Sequence, residues 1–438
     1  MDPVKPVESV YPDAQEVAAP PAEVPLAPGL PAALFAPRTG MLRALRHRDY
    51  RLFWTGNFLS NIGTWMHQVA LGWLVLEMTN SPFLLGLVGF AQFTPALLFS
   101  LPGGVIADRV NRRRWLLLTH SLMLLLALTL AVLVALEVIN YHEVLLLAFL
   151  LGTTSALNFP AFQVMVRDLS SREDLLNAIA LNSMQFNTSR VIGPAIAGFL
   201  VSTVGLASCF YVNAVSFLAP LVALSLIAYH ARPQPTHSSI LEGLVEGHRY
   251  LWSHRRMLLL VNLVAMISLF GLPYLIFLPV FARDVLHVGA RGLGYMFSAS
   301  GGGALVGAVM LAGWRHEWRR GPLVLGGMLF FFGGVLVLAL SRSFWLSLAA
   351  LVVTGGAMVC AVATVNSLLQ TLVPDEMRGR VLGWHSMAYL GFSPLGSLLI
   401  GALADTWGTP AALALSASLP LVVTLGLLVG VRWLRHLQ

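Results

Sequence analysis

Arg190 stands in the middle of an apolar run, and that position asks for a chemical reason. If the run is helical, Ser183, Asn187, Arg190, Pro194 and Gly198 fall on one face. Arg190 then sits about 14 residues, roughly 20 Å of helix, from one end. An arginine at that depth in hydrocarbon is costly unless it faces water or a partner, so it is a candidate for holding an anionic or polar group. The ordinary alternative is a side chain that snorkels toward the nearer surface. A second polar stripe, Asn57, Asn61, Thr64 and Gln68, repeats at spacings of four, three and four in an earlier apolar run. It is either a polar wall toward a bound solute or hydrogen-bonding glue between helices. Asn158 and Asn366 are further amides of this kind. His67 and Glu77 are the titratable groups nearest the stripe and the candidates for carrying a proton, although a lone histidine among apolar residues is more often simply packed.

A different chemistry is written at Leu101 to Leu118, where Asp108, Arg109, Arg112, Arg113 and Arg114 lie between two apolar runs. Arginines offer planar, permanently charged forks to carboxylates. Asp108 suits the positive end of a neighbouring helix, and the start of the run near Arg378 and Arg380 is such an end. Gly104 is expected to let two helix backbones approach closely. Together these residues read as a latch at a membrane border. The plainer reading is a basic loop that only fixes topology, which leaves the acid without a reason.

The elements that position these groups follow from composition. The chain of 438 residues is 57% hydrophobic and 11% charged, against about a quarter charged in ordinary soluble domains. This predicts an all-α membrane protein. A net charge of +7 invites a nucleic-acid partner, but the arginines sit in short loops between apolar runs, so none is expected. A bilayer needs about 20 apolar residues per helix, which gives twelve spans near 51–77, 82–107, 113–136, 144–167, 176–203, 206–230, 257–282, 291–314, 321–341, 343–373, 378–404 and 409–431. Pro160, Pro194, Pro273 and Pro394 mark expected bends. Residues 1–40, rich in proline and alanine, read as a disordered tail, and 231–256 as an amphipathic surface helix with Leu241, Leu244, Tyr250 and Leu251 on its apolar face. That linker divides two six-helix bundles, 41–230 and 257–438. The loops after even-numbered spans, the tails and the linker hold most of the basic residues, with Arg283, Arg291 and Arg342 opposite, so both termini are expected in the cytoplasm. Cys209 and Cys360 lie in different halves, and neither a disulfide nor a metal site is expected. No HExxH, GxSxG or phosphate-binding glycine loop occurs, which argues against an enzyme and against ATP as the energy source.

Gly104-x-x-x-Asp108-Arg109 with Arg112 and Arg113 resembles the loop between helices two and three of the major facilitator superfamily, with Asn111 where that pattern has its second glycine. The runs at 172–198 and 373–381 look like the branch of that superfamily holding bacterial enterobactin exporters and macrolide-efflux proteins, and Gly193, Pro194 and Gly198 resemble part of the fifth-helix signature of its drug/proton antiporters. The resemblance implies two pseudo-symmetric bundles of six helices. It also implies a gating role for Gly104, Asp108, Arg109, Arg112, Arg113, Asp168, Arg378 and Arg380, in which Arg112 pairs with Asp168. The expected function is export of a small organic molecule, a drug or siderophore, across a bacterial inner membrane by alternating access. Coupling to protons is expected, with no cofactor, and the protein should act as a monomer. An importer of the same fold and a non-transporting sensor are the alternatives.

Overall fold

The helices begin where their caps begin. In the computed structural model, which describes residues 42–171, 173–229, 240–312 and 320–430, Ser81 accepts from the Leu84 amide and Pro82 occupies the first turn of α2 (Pro82–Arg109). Serine satisfies an orphan amide there, and proline has none to lose. Asn111, the residue that departs from the family pattern, accepts from the Arg114 amide and starts α3 (Arg112–Ala135). Asn140 and Glu143 form a reciprocal capping box at the start of α4 (Tyr141–Leu169), so Glu143 serves helix geometry.

Around these lie α1 (Arg48–Thr79), α5 (Leu175–Thr203), α6 (Leu206–Ser216) and α7 (Leu218–Leu226). After the linker helix α8 (Ile240–Ser253) come α9 (Arg255–Met266), α10 (Tyr274–Val280), α11 (Gly289–Ala312), α12 (Arg320–Leu340), α13 (Phe344–Leu372), α14 (Asp375–Gly391), α15 (Ser393–Trp407) and α16 (Thr409–Gly430). Residues from Ala44 onward form one compact unit; the unit ending at Arg43 is described only at Leu42 and Arg43, so the expected tail lies outside the described residues.

Ten helical stretches among the described residues are long and apolar enough to cross a membrane. α1 and α5 are long enough but are not among them, because the amides, His67 and Arg190 that make them interesting also lower their hydropathy. The sixth expected span is two helices meeting at Phe217. The seventh, Arg255–Val285, contains π-turns at Ile267–Gly271 and Phe281–Val285, around Pro273 and Pro279. The eleventh breaks at Phe392, just before Pro394. Pro160 and Pro194, by contrast, lie inside unbroken helices. A proline inside a helix frees one carbonyl and crowds the preceding turn, so a helix that runs through it in a membrane relies on neighbouring groups to take over that carbonyl.

The linker helix keeps an exposed face and also has a partner within the fold. α8 docks on α14: an alanine at Gly247 would place its Cβ 3.2 Å from the Arg380 Cβ, the His248 ring lies tilted 5.2 Å from the Trp384 ring, and Glu246 pairs with Arg380. Leu251 is buried, while the side chains of Leu241 and Leu244 lie outside the described residues.

Two crossings join the part before α8 to the part after it. α2 meets α15, with Gly86 against the Ser397 carbonyl, and α5 meets α11, with Gly294 against the Pro194 carbonyl. Both lie away from the ends that carry Arg109 and Leu175. Ser81 donates to Asp405 at 3.1 Å and Arg283 donates to the Leu76 carbonyl at 2.8 Å, so the same end is tied by side chains as well.

Candidate substrate site and gating contacts

Arg190 is placed by glycines. An added Cβ at Gly193 would meet α1 at the Ile62 carbonyl and the Trp65 side chain, and one at Gly301 of α11 would meet the Arg190 backbone and its Cγ. Three helices therefore converge on one guanidinium, which is 5% exposed. Its Nη2 donates to Ser300 Oγ at 3.0 Å, and Ser300 shares a 2.6 Å hydrogen bond with the Tyr274 hydroxyl. Trp65 offers its ring face 5.6 Å from the guanidinium carbon and meets Phe186 edge-on at 5.7 Å. Tyr274 and Tyr389 lie within electrostatic reach of Arg190. The Nε donor has no partner, and among the described residues no carboxylate pairs with the group. A buried cation so placed is poised to accept an anion.

Tyr389 also lines a cavity of 410 Å³ along α13, with Met358, Val362, Asn366, Ser367 and Gln370. Asn366 accepts from Gln370, which sets amides into an otherwise apolar wall, the usual composition of a small-molecule site. Trp65, Ser300, Tyr274 and Tyr389 were not among the site residues expected from sequence. Ser300 lies in a run of serine, alanine and glycine that reads as packing, and only the structure brings it 3.0 Å from an arginine 110 residues away.

The remaining polar residues divide. Gln68 accepts from Gln92 of α2 at 2.9 Å, Asn57 and Asn187 donate to carbonyls of their own helices, and Asn61 is half-buried. Asn158 is 8% exposed and donates to Thr119 of α3 at 2.7 Å, so it ties two helices. Asn158→Ala is expected to lower stability by about 1 kcal/mol, the order of an interhelical hydrogen bond, with substrate affinity unchanged; thermal unfolding in detergent and a binding titration check both. His67 is 4% exposed, has neither ring nitrogen partnered and lies edge-on to Phe210 at 5.1 Å. It is packed against α6, away from Arg190. Glu77 is exposed at the end of α1 and accepts from Trp73.

At the arginine-rich end, Arg112 donates to Asp168 and to the Tyr229 hydroxyl at 2.9 and 3.3 Å. Tyr229 donates to Asp168 at 2.7 Å, and burial, with the adjacent carboxylate, raises its hydroxyl pKa above the ordinary tyrosine value. Arg113 donates to the Leu224 and Ser225 carbonyls at 2.6 and 2.8 Å, closing the last turn of α7. All these partners precede the linker, so the contacts brace α3, α4 and the end of α7 and do not tie the two parts of the chain together. In the later part, Arg320 donates to Ser367 at 3.3 Å. Gly104 has open space about it, and the close approach to α4 is made by its neighbour Gly103, whose added Cβ would lie 3.3 Å from the Ala156 carbonyl. Arg109 is exposed. The Asp108 side chain lies outside the described residues, while Arg378 pairs with Asp375 and Arg380 with Glu246.

The side chains of Arg112 and Asp168 are 7% and 23% exposed. Asp168→Ala removes this carboxylate from the largely buried guanidinium and is expected to cost about 2–3 kcal/mol, between exposed and fully buried pairs. The swap Arg112→Asp with Asp168→Arg should recover part of that loss in thermal unfolding. A swap no more stable than the single variant would make the pair incidental.

This helical arrangement is that of the major facilitator transporters. Solved structures of the nucleoside transporter NupG (TM-score 0.70, 12% identity, covering 87% of this chain and 98% of that one) and of a D-xylose-proton symporter (TM-score 0.70, 13% identity, 88% and 97%) share it. The profile of the transmembrane secretion effectors, a branch of that superfamily, matches residues 39–436, and the chain belongs to that family. Similar curated proteins include the staphyloferrin A transporter of Staphylococcus aureus (28% identity, 82% of this chain and 90% of the relative) and the multidrug efflux pump Tap of Mycolicibacterium fortuitum (28%, 81% and 88%). The enterobactin exporter EntS of Shigella boydii is 27% identical over 86% of this chain and 90% of its own. The protein is thus a multi-pass transporter of small molecules, and its family's members are transporters and not enzymes.

Proposed function

We propose that this protein exports a small organic molecule across a bacterial inner membrane by alternating access. The observation that carries the reading is the Arg190 cluster, which lies where α1, α5 and α11 converge, with Tyr389 both within its electrostatic reach and lining a 410 Å³ cavity. Twelve spans, counting α1 and α5 with the ten apolar stretches, form two six-helix bundles, 41–230 and 257–438, joined by α8. Both termini and the Arg112–Asp168 brace face the cytoplasm, in keeping with the arginine bias of that side. The α2–α15 and α5–α11 crossings then close the outer face, and substrate enters from the inside. Arg190, Asn187, Asn61, Asn366 and Gln68 are assigned to the substrate path, and Arg112, Arg113 and Asp168 to bracing the inner ends during the transition. Relatives described as exporters and efflux pumps support the outward direction, since the fold alone does not set it. Cells with and without the gene, loaded with a panel of siderophores and drugs, test the direction. Higher internal levels without the gene are expected, and lower levels would make the protein an importer.

A further inference from the structure

Among the described residues, every acid lies in a loop, in the linker helix or within the terminal turns of a helix. Asp49, Glu77, Glu143, Asp168, Asp284, Asp375, Glu376 and Asp405 all follow this rule, and so does Asp108 by its place near the end of α2. The histidines within the described spans do not compensate. His67 and His120 face Phe210 and Phe217 with unpartnered ring nitrogens, and His385 is likewise buried on α14 with its Nε2 unpartnered. What faces Arg190 is Trp65 from α1, Ser300 and Gly301 from α11 and Tyr274 from α10, with Tyr389 of α14 within electrostatic reach. Mid-membrane, among the described residues, Arg190 presents a fixed positive charge with aromatic walls and an open Nε donor, and no acid balances it.

We infer that the exported substrate is an aromatic organic anion, whose charge is neutralised by Arg190, and that the membrane potential drives its export without an exchanged proton. The inference rests on the proposed export function. A loaded site pairs one negative with one positive charge and crosses the potential as a neutral unit. The empty site keeps the arginine charge, and an interior that is electrically negative draws it back toward the cytoplasm. Each cycle therefore moves one negative charge outward, the direction the potential favours, with no need for a titratable group that visits both faces. Trp65, Phe186 and the two tyrosines suit a flat ring, and the free Nε beside Nη2 suits an anion with two acceptor oxygens.

The test uses the full chain with naphthalene-2-sulfonate, which stays charged at any working pH, and its neutral counterpart naphthalene-2-sulfonamide. Quenching of tryptophan fluorescence by the sulfonate is expected to saturate in the wild type, to weaken at least tenfold in Arg190→Gln, and to recover in part in Arg190→Lys, with every variant eluting as a folded species. The sulfonamide should not bind. Equal binding of both compounds, or no loss in Arg190→Gln, or no sulfonate binding at all, overturns the anion assignment. In proteoliposomes at equal pH on both sides, a potassium–valinomycin potential is expected to accumulate the sulfonate on the positive side, tenfold per about 60 mV for one charge. A pH gradient with the potential clamped at zero should accumulate none. Accumulation driven by the pH gradient alone overturns the coupling inference and leaves export standing. Arg190-dependent binding with no flux under either gradient overturns potential-driven transport, and with it the export reading of the site.

Discussion

Arg190→Ala is expected to abolish transport while the helical bundle stays folded. The guanidinium makes one hydrogen bond to Ser300, covers the Trp65 ring and leaves Nε free, so its removal strands few partners. The loss of Cγ packing against Gly301 is offset by relief from holding an unpaired charge in a buried place. Binding is another matter. Hydrogen bonds to a charged group are worth about 1.5–3 kcal/mol each, so losing a two-pronged contact should weaken an anionic substrate by about a hundredfold or more. Arg190→Lys keeps the charge and loses the planar fork, and should fall between. Flux in proteoliposomes, normalised to folded protein by size-exclusion chromatography, checks the order Arg, Lys, Ala. Wild-type flux in the alanine variant would remove Arg190 from the substrate path.

Much of the fold could be read from sequence because bilayer thickness fixes helix length, so apolar runs end near the observed helix ends. The interruptions could not. Pro160 and Pro394 look alike in sequence, yet α4 runs through the first and the eleventh span breaks just before the second. The site divides the same way. Arg190 was legible because depth in an apolar run is a one-dimensional quantity, and the Arg112–Asp168 contact came with the resemblance of its loop. Asn158 and Thr119 were not legible as partners, since a polar face tells that an amide points inward but not whether it meets a helix or a cavity. Gly103 and Gly104 differ by one position, about 100° around the helix, which is enough to put one against α4 and the other in open space. Ser300 and Trp65 needed the third dimension altogether.

Gly294→Val and Gly86→Val are expected to prevent closure of the face opposite the Arg112–Asp168 brace. Even a methyl added at Gly294 would lie 2.5 Å from the Pro194 carbonyl oxygen, and one at Gly86 equally close to the Ser397 carbonyl oxygen. Both clashes are with helix backbone, which cannot rotate aside as a flexible side chain can, so the helices must separate. Overpacking of this kind costs about 1–3 kcal/mol per site. The cost falls only on the state in which α5 meets α11 and α2 meets α15, and it is absent once those crossings part. Since about 1.4 kcal/mol shifts a two-state ratio tenfold, either variant should deplete the closed state about tenfold, and the pair by considerably more because the two crossings are separate contacts. The tie from Ser81 to Asp405 and the Arg283 contact to the Leu76 carbonyl open with them and cannot hold the face shut alone, being single polar contacts near its rim. Spin labels at Val204, after α5, and His287, before α11, both exposed, should report a longer distance in Gly294→Val than in wild type. Transport should slow in the same variants while sulfonate binding persists, because Arg190 and Ser300 sit a full turn or more away from the added side chains. An unchanged distance distribution in the double variant would mean that the α5–α11 and α2–α15 crossings do not part during transport, and that the moving contact lies elsewhere.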